Sequence, residues 1–474
     1  MTPANKNRPS RREVLAGAAG FAGATTLGAA GPLALGQASA QPSGLAVRQD
    51  IVAFAQDTAR FAKFEAAIKE MQDRSATDPN DPKGWLINAN AHNDFCAVPT
   101  PDGPDQIHFC YWFLAWHRAY ISVAERKIRE IAGDQTLAYP YWNWSSDRRI
   151  PQPFARAGSP LANAVRFTPN RPLRDGEVDF NPNDPVLKQL VVGALGSTFF
   201  EAMTPDDIAD SFGGIARPNR FDAFDNNRLE GTPHGPVHVY VGGTRGGRAG
   251  DMTDFATAGR DPIFFAHHCN LDRLWEIWRR DPARKATEPS ADAFLTHAFP
   301  FTWLDGTMIQ VTAGDTLDAS KLGFTYDNFE VLRPGAPIVV AAQAAENRLA
   351  PVASGRLRVP LSPQAAGVNE RKVLEITNIE TPQAPTTIGV YVKPADAPAS
   401  ETGTEIGSFT AVLSGGRVVL PSKTLRFDMT AAANRFAGQE ITVELVPYRI
   451  STDSDERYAP LKYERMRIVS KPQR

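Results

Sequence analysis

From Ile51 to Met71 apolar residues return every three or four positions, which predicts an amphipathic helix. Tyr111 to Ala132 repeats that spacing, with apolar residues at 113, 114, 121, 124, 128 and 131, and Gly133 stands just past its end as a stop. Asp261 to Arg279 is a third such helix. Between them, residues 145–220 are rich in Pro, Asn and Asp and predict long loops, with a short helix near 187–195. After about residue 350 the pattern changes to short β-rich runs: Arg356–Pro360, Lys372–Ile379, Thr387–Lys393, Ser408–Leu413, Arg417–Leu420, Leu425–Met429, Ile441–Val446 and Glu464–Ser470. Ser414-Gly415-Gly416 supplies a hairpin turn, and strands at this spacing predict a sandwich or small barrel.

These elements predict a mainly α region over 41–330, a Pro/Ala-rich linker over 331–352 and an all-β domain over 353–474. The first 40 residues differ from all of it. Ser10-Arg11-Arg12-Glu13-Val14-Leu15 precedes an Ala/Gly-rich, weakly apolar stretch that ends in Ala38-Ser39-Ala40, an A-x-A cleavage site. This resembles a bacterial twin-arginine export signal, which implies a periplasmic or secreted protein that folds, and takes up any cofactor, before export.

The net charge of −2 gives no argument for nucleic acid or an anionic surface as partner. Past the first 40 residues no apolar run is long enough to span a bilayer. Three cysteines, Cys96, Cys110 and Cys269, allow at most one internal disulfide, so a core rather than a disulfide framework must hold the chain together.

Composition becomes informative at histidine. The chain has eight, and seven fall into a few short segments: His92, then His108 and His117, then His234 and His238, then His267 and His268, with His297 apart. His234 and His238 are four residues apart, so on a helix they share a face and can grip one ion. A lone histidine on an apolar face is most often a satisfied core residue. Seven clustered imidazoles would leave many buried nitrogens to satisfy unless metal takes some of them. Imidazole-only ligation suits copper or zinc better than magnesium or calcium. The H-x3-H segment lacks the Glu of H-E-x-x-H, which argues against a zinc metalloprotease. His267 and His268 are adjacent, so on a regular helix they point about 100° apart and cannot both face one ion. Helical phase only leans toward His268 as the ligand.

Two segments carry a more specific signal. His108–Glu125 reads H-x4-F-L-x-W-H-R-x6-E, and Asp261–Asp272 reads D-P-x-F-F-x-x-H-x3-D. Together they resemble the two copper signatures of the type-3 copper family of tyrosinases, catechol oxidases and haemocyanins. Pro140-Tyr141-Trp142-Asn143-Trp144 resembles a family landmark that follows the first copper helix. Thr302-Trp303-Leu304-Asp305, Ile388-Gly389-Val390-Tyr391-Val392, Gly407-Ser408-Phe409 and Val443-Glu444-Leu445-Val446-Pro447 resemble the middle and C-terminal segments of plant-type polyphenol oxidases, so the likeness runs through nearly the whole mature chain. Phe324-Thr325-Tyr326 departs from the Tyr-x-Tyr usual there.

The resemblance implies a four-helix bundle holding two copper ions, with dioxygen as co-substrate and small phenols as partners. Copper A would be held by His92, His108 and His117, and copper B by His234, His238 and His268. Cys96 matches the family cysteine that forms a thioether with the second copper A histidine, here His108. Glu230 matches a carboxylate that holds a water near copper B and takes a phenol proton, and Phe255 matches the aromatic gate above copper A. Gly235 stands where efficient phenol hydroxylases often carry Asn, which argues for catechol oxidation over monophenol hydroxylation. Cys110 and Cys269 match no family role and read as packing residues. The β domain would shield the site and keep the enzyme latent. The rival functions are a haemocyanin-like oxygen carrier, a tyrosinase with strong monophenolase activity and a histidine-rich zinc hydrolase.

Overall fold

A computed structural model describes residues 44–96, 107–108, 112–168, 172–173, 229, 233–280, 282–285, 292–330 and most of 357–472, with 399–402, 421–423 and 449–460 among the gaps. The export-like segment 1–40, the linker 331–352 and the helix expected near 187–195 lie outside the described residues.

Four helices build the centre: α2 (Trp85–Cys96), α3 (Trp112–Ala132), α4 (Gly235–Gly242) and α6 (Ile263–Arg279). A fifth, α1 (Thr58–Thr77), packs outside them through Phe61, Phe64, Ile68 and Met71. The helix expected over Ile51–Met71 is therefore two helices. The chain makes one turn at Ile51–Phe54 and restarts at Thr58, because the Asp57 carboxylate caps the new helix by accepting the Arg60 N–H at 3.2 Å. The α3 helix ends where Gly133 takes a left-handed φ of 61°. The α6 helix starts two residues later than expected. Asp261 stays outside it and accepts the Ile263 N–H at 3.2 Å.

The mainly α region is closed by its two ends. Strand β1 (Ala46–Arg48) pairs in parallel with β6 (Phe324–Tyr326). Two small hairpins lie between them, β2 (Thr244–Arg245) with β3 (Arg248–Ala249) and β4 (Ala298–Thr302) with β5 (Met308–Thr312). Arg48 drives its guanidinium inward from β1. It grips Glu125 of α3 through Nε and Nη2, both at 3.1 Å, and donates from Nη1 to Asp272 of α6 at 3.0 Å and to the Tyr326 hydroxyl at 2.9 Å. Phe324, which stands where Tyr is usual, carries the guanidinium over its ring at 3.5 Å. Arg118 of α3 reaches the other oxygen of Asp272 and also Glu276. The two long central helices are thus joined by charge as well as by their apolar stripes.

The C-terminal region is all-β. A five-stranded antiparallel sheet runs in the order β11 (Arg417–Val419), β10 (Thr404–Ser414), β9 (Thr386–Pro394), β13 (Ile441–Tyr448), β7 (Leu357–Leu361). A three-stranded sheet runs β12 (Thr424–Asp428), β8 (Glu370–Thr377), β14 (Arg465–Pro472). All eight β-rich runs become strands. Ser414 pairs with Arg417 across the expected turn, where Gly416 takes φ 78°. Ile376, Val390, Val392, Phe409, Leu425, Phe427 and Val443 belong to one apolar core shared by the two sheets. Among the described residues no helix is long and apolar enough to cross a membrane.

Candidate metal centre

Each central helix brings histidines to one buried place. His92 comes from α2 and His117 from α3; His108 precedes α3. His234 sits at the N-cap of α4 and His238 one turn into it, while His267 and His268 lie on α6. His92, His108 and His117 can each offer a ring nitrogen within 4.8 Å of the others, and so can His234, His238, His267 and His268. The sets meet where the His117 and His268 rings stack at 4.2 Å, 7° from parallel. His297 lies apart, stacked on Trp112 at 4.3 Å.

Hydrogen bonding decides which nitrogen each ring offers. The Nδ1–H of His92 donates to the Phe255 carbonyl, that of His117 to Phe113 and that of His238 to Met252, each at 2.7 Å. A carbonyl only accepts, so Nδ1 carries the proton and Nε2 keeps a lone pair for a metal. The His117 Nε2 has no hydrogen-bond partner among the described residues. The Nε2 atoms of His238 and His268 lie 3.3 Å apart, close enough to converge on one ion. His267 differs. Its Nδ1 faces the Trp144 indole N–H at 3.2 Å.

Burial keeps all seven imidazoles neutral. Desolvation is the largest cause for each, holding His92, His108, His234, His267 and His268 well below the usual range, His117 at about 3 and His238 at about 4. Neutral imidazole is the form a metal binds. The sign of the pH effect follows. Unfolded histidine protonates near a pH of about 6.5, while these folded rings do not, so the unfolded metal-free chain binds more protons below that point. Stability is complete above pH ~6.5 and falls as pH drops through it toward the folded values. The melting temperature of metal-free protein should fall steeply from pH 7 to 5. A flat profile in a calorimetric series would show that the rings are not neutral in the folded apoprotein.

Phe255 stands in this site too. It opens the short helix α5 (Phe255–Ala258), and its ring stacks on His108 at 4.1 Å. Gly235 follows His234 and lies under the β region: a Cβ there would meet the Thr410 Cβ of β10 at 2.9 Å. Asp254 joins the same contact. One carboxylate oxygen caps α5 by accepting the Ala256 N–H at 2.9 Å; the other accepts the Gly416 N–H of the β10–β11 turn at 3.0 Å. Cys269 is unbridged and buried, with its thiol pushed up by desolvation. Glu230, Cys110 and the side chain of Cys96 lie outside the described residues. Sequence reasoning passed over Trp144 as a partner of His267, and over Arg48 and Arg118 as the charged ties behind the ligands.

Residues 82–281 match the family model "Common central domain of tyrosinase". They are a tyrosinase-family domain. The chain is 31% identical over 307 residues to (+)-larreatricin hydroxylase of Larrea tridentata, and 30% identical over 300 residues to the polyphenol oxidase of Malus domestica, both named chloroplastic. These alignments cover 62% and 61% of this chain and 51% and 50% of the relatives, so the chain spans about half the length of the curated relatives it matches. In fold the likeness extends further. The latent apple tyrosinase superposes with a TM-score of 0.60 at 24% identity, over 90% of this chain and 98% of that one. A latent aurone synthase gives 0.64 at 22% identity, over 94% and 93%. The tyrosinase family is a dicopper family, and the two sets of neutral, lone-pair-bearing imidazoles in this tyrosinase-family domain fit a copper pair.

Proposed function

We propose that the chain is a dicopper polyphenol oxidase that converts catechols to o-quinones while dioxygen is reduced to water. One observation carries this reading: two sets of neutral buried imidazoles meet face to face at the His117–His268 stack. The ligand sets are His92, His108 and His117 for copper A and His234, His238 and His268 for copper B. A bound copper pair supplies the electron transfer between catechol and dioxygen. The protein holds the ligand rings by their Nδ1 hydrogen bonds, excludes water with Phe113, Phe255 and Phe264, and orients the phenol ring against the copper B histidines. Glu230 is assigned as the group that holds a water and takes the phenol proton, and a Cys96–His108 thioether as the lock on that ligand. Gly235 offers no side-chain amide to polarise that water, which supports diphenol over monophenol oxidation.

The β region over 353–474 is proposed as a shield that keeps the enzyme latent. Support comes from the contacts of β10 with Gly235 and of the β10–β11 turn with Asp254, one beside a copper B ligand and the other capping the helix of the proposed gate. Twin-arginine export, with cleavage after Ala40, belongs to the same proposal and rests on the motif at Ser10–Leu15.

Oxygen uptake tests the reading on copper-loaded protein given 4-methylcatechol, dopamine, tyramine or tyrosine, before and after proteolytic trimming of the β region. Trimming should raise catechol oxidation on the order of tenfold, the factor that ~1.4 kcal/mol of docking withholds. An unchanged rate after clean removal rejects latency. Reversible oxygen binding with no quinone, even after trimming, makes the protein a carrier. Hydroxylation of tyramine at a rate near dopamine oxidation makes it a tyrosinase.

A further inference from the structure

We propose that Trp144 selects which of the two adjacent histidines binds metal: its indole N–H fixes His267 in the tautomer that presents an N–H, leaving His268 as the ligand. This rests on the copper B reading above. The argument starts from donor chemistry. An indole nitrogen can only donate, so at 3.2 Å from Nδ1 it makes that nitrogen the acceptor. A neutral imidazole has one proton, which must then sit on Nε2. His267 is fully buried, and the His234 backbone lies close enough to accept from its ring N–H. The three ligand rings tied to carbonyls through Nδ1–H have the opposite tautomer. Within the copper B set His267 and His238 therefore have opposite tautomers, with the Nε2 lone pair kept by His238 and used up in His267, although His267 can bring a nitrogen as close as the others.

The surroundings hold the indole to this task. Trp144 is fully buried, two residues after Trp142, whose backbone N–H donates to the Ala266 carbonyl at 3.0 Å. The Tyr139 hydroxyl donates to the Pro262 carbonyl at 2.8 Å. The segment 139–144 is therefore fastened to the first turn of α6, directly before the two histidines. A hydroxyl in place of the indole could accept as well as donate and would leave both tautomers open. The His267 ring lies parallel to the His234 ring, 5.6 Å away at 11°, and 5.2 Å from that of His268, so its N–H belongs to the metal pocket and not to solvent. Trp144 is a positioning residue, and His267 adds a hydrogen-bond donor to a pocket in which His92, His117 and His238 keep their Nε2 lone pairs.

The test reads the tautomer directly. Full-length protein with nitrogen-15-labelled histidine is loaded anaerobically with Cu(I), which is diamagnetic, and the ring nitrogens are correlated with their carbon-bound protons by NMR. The His267→Gln variant assigns that ring. In the unmodified protein His267 should show a protonated Nε2 and a bare Nδ1, unmoved by Cu(I). In Trp144→Phe that pattern should be lost, and a His267 nitrogen should shift when Cu(I) is added. A protonated Nδ1 in the unmodified protein, a Cu(I)-dependent shift of His267 there, or an unchanged tautomer in Trp144→Phe would each overturn the proposal. Should Trp144→Phe not fold, the unmodified protein alone decides it. Silence of the His268 nitrogens toward Cu(I) would instead sink the copper B assignment, and it is read from different resonances.

Discussion

Replacing His268 with alanine should remove one of two coppers and abolish catechol oxidation, while replacing His267 should leave both coppers bound. The residues are neighbours on one helix and both are buried, so burial does not separate them. What separates them is where each ring nitrogen goes. His268 sets its Nε2 3.3 Å from that of His238, which has its own proton tied to the Met252 carbonyl. Its ring also stacks on His117, so its loss opens the contact between the two metal sets. His267 has its Nδ1 occupied by Trp144 and cannot step in without turning its ring. Dialysed protein analysed for copper would read one ion per chain in the first variant and two in the second. Two in the first, or one in the second, would exchange their roles.

Arg48→Met should destabilise the fold by about 3–5 kcal/mol, the usual cost of stripping one partner from a buried charged cluster. The guanidinium is fully buried and uses its fork on Glu125, Asp272 and Tyr326 together. Without it, Glu125 keeps the Tyr139 N–H at 2.6 Å and Arg129 at 3.4 Å, and Asp272 keeps Arg118. Neither carboxylate is left bare, which places the expectation within that range and not above it. Arg48→Lys should recover only part of the loss, because an ammonium cannot make the bidentate contact to Glu125 or lie flat on Phe324. Urea unfolding of metal-free protein measures both variants. A change under 1 kcal/mol for Arg48→Met would mean that Arg118 and Arg129 carry the carboxylates unaided.

Much of this was legible in the sequence, for identifiable reasons. Helices α3 and α6 carry long apolar stripes with clear stops, and the eight C-terminal strands are set off by Gly and Pro, so periodicity and punctuation found them. The break at residues 55–57 was missed because the apolar period runs on through it; only the Asp57 cap reveals it. The histidine segments were visible by clustering, and the resemblance sorted them into two sets. What sequence could not show was the tautomer of each ring. That depends on carbonyls and an indole far along the chain: Phe255 for His92, Met252 for His238, Trp144 for His267. The contact of Gly235 with Thr410 has the same character, since it joins a turn of the helical region to a strand of the β region.

The parallel pairing of β1 with β6 has a consequence for how the protein is made. It ties Arg48 to Tyr326, residues 278 apart, so the helical region cannot shut on the ribosome until nearly all of it has emerged. By then every histidine of both sets has been synthesised, because the last of them, His268, precedes β6 by more than fifty residues. A complete set of histidines is therefore present before β1 and β6 can pair.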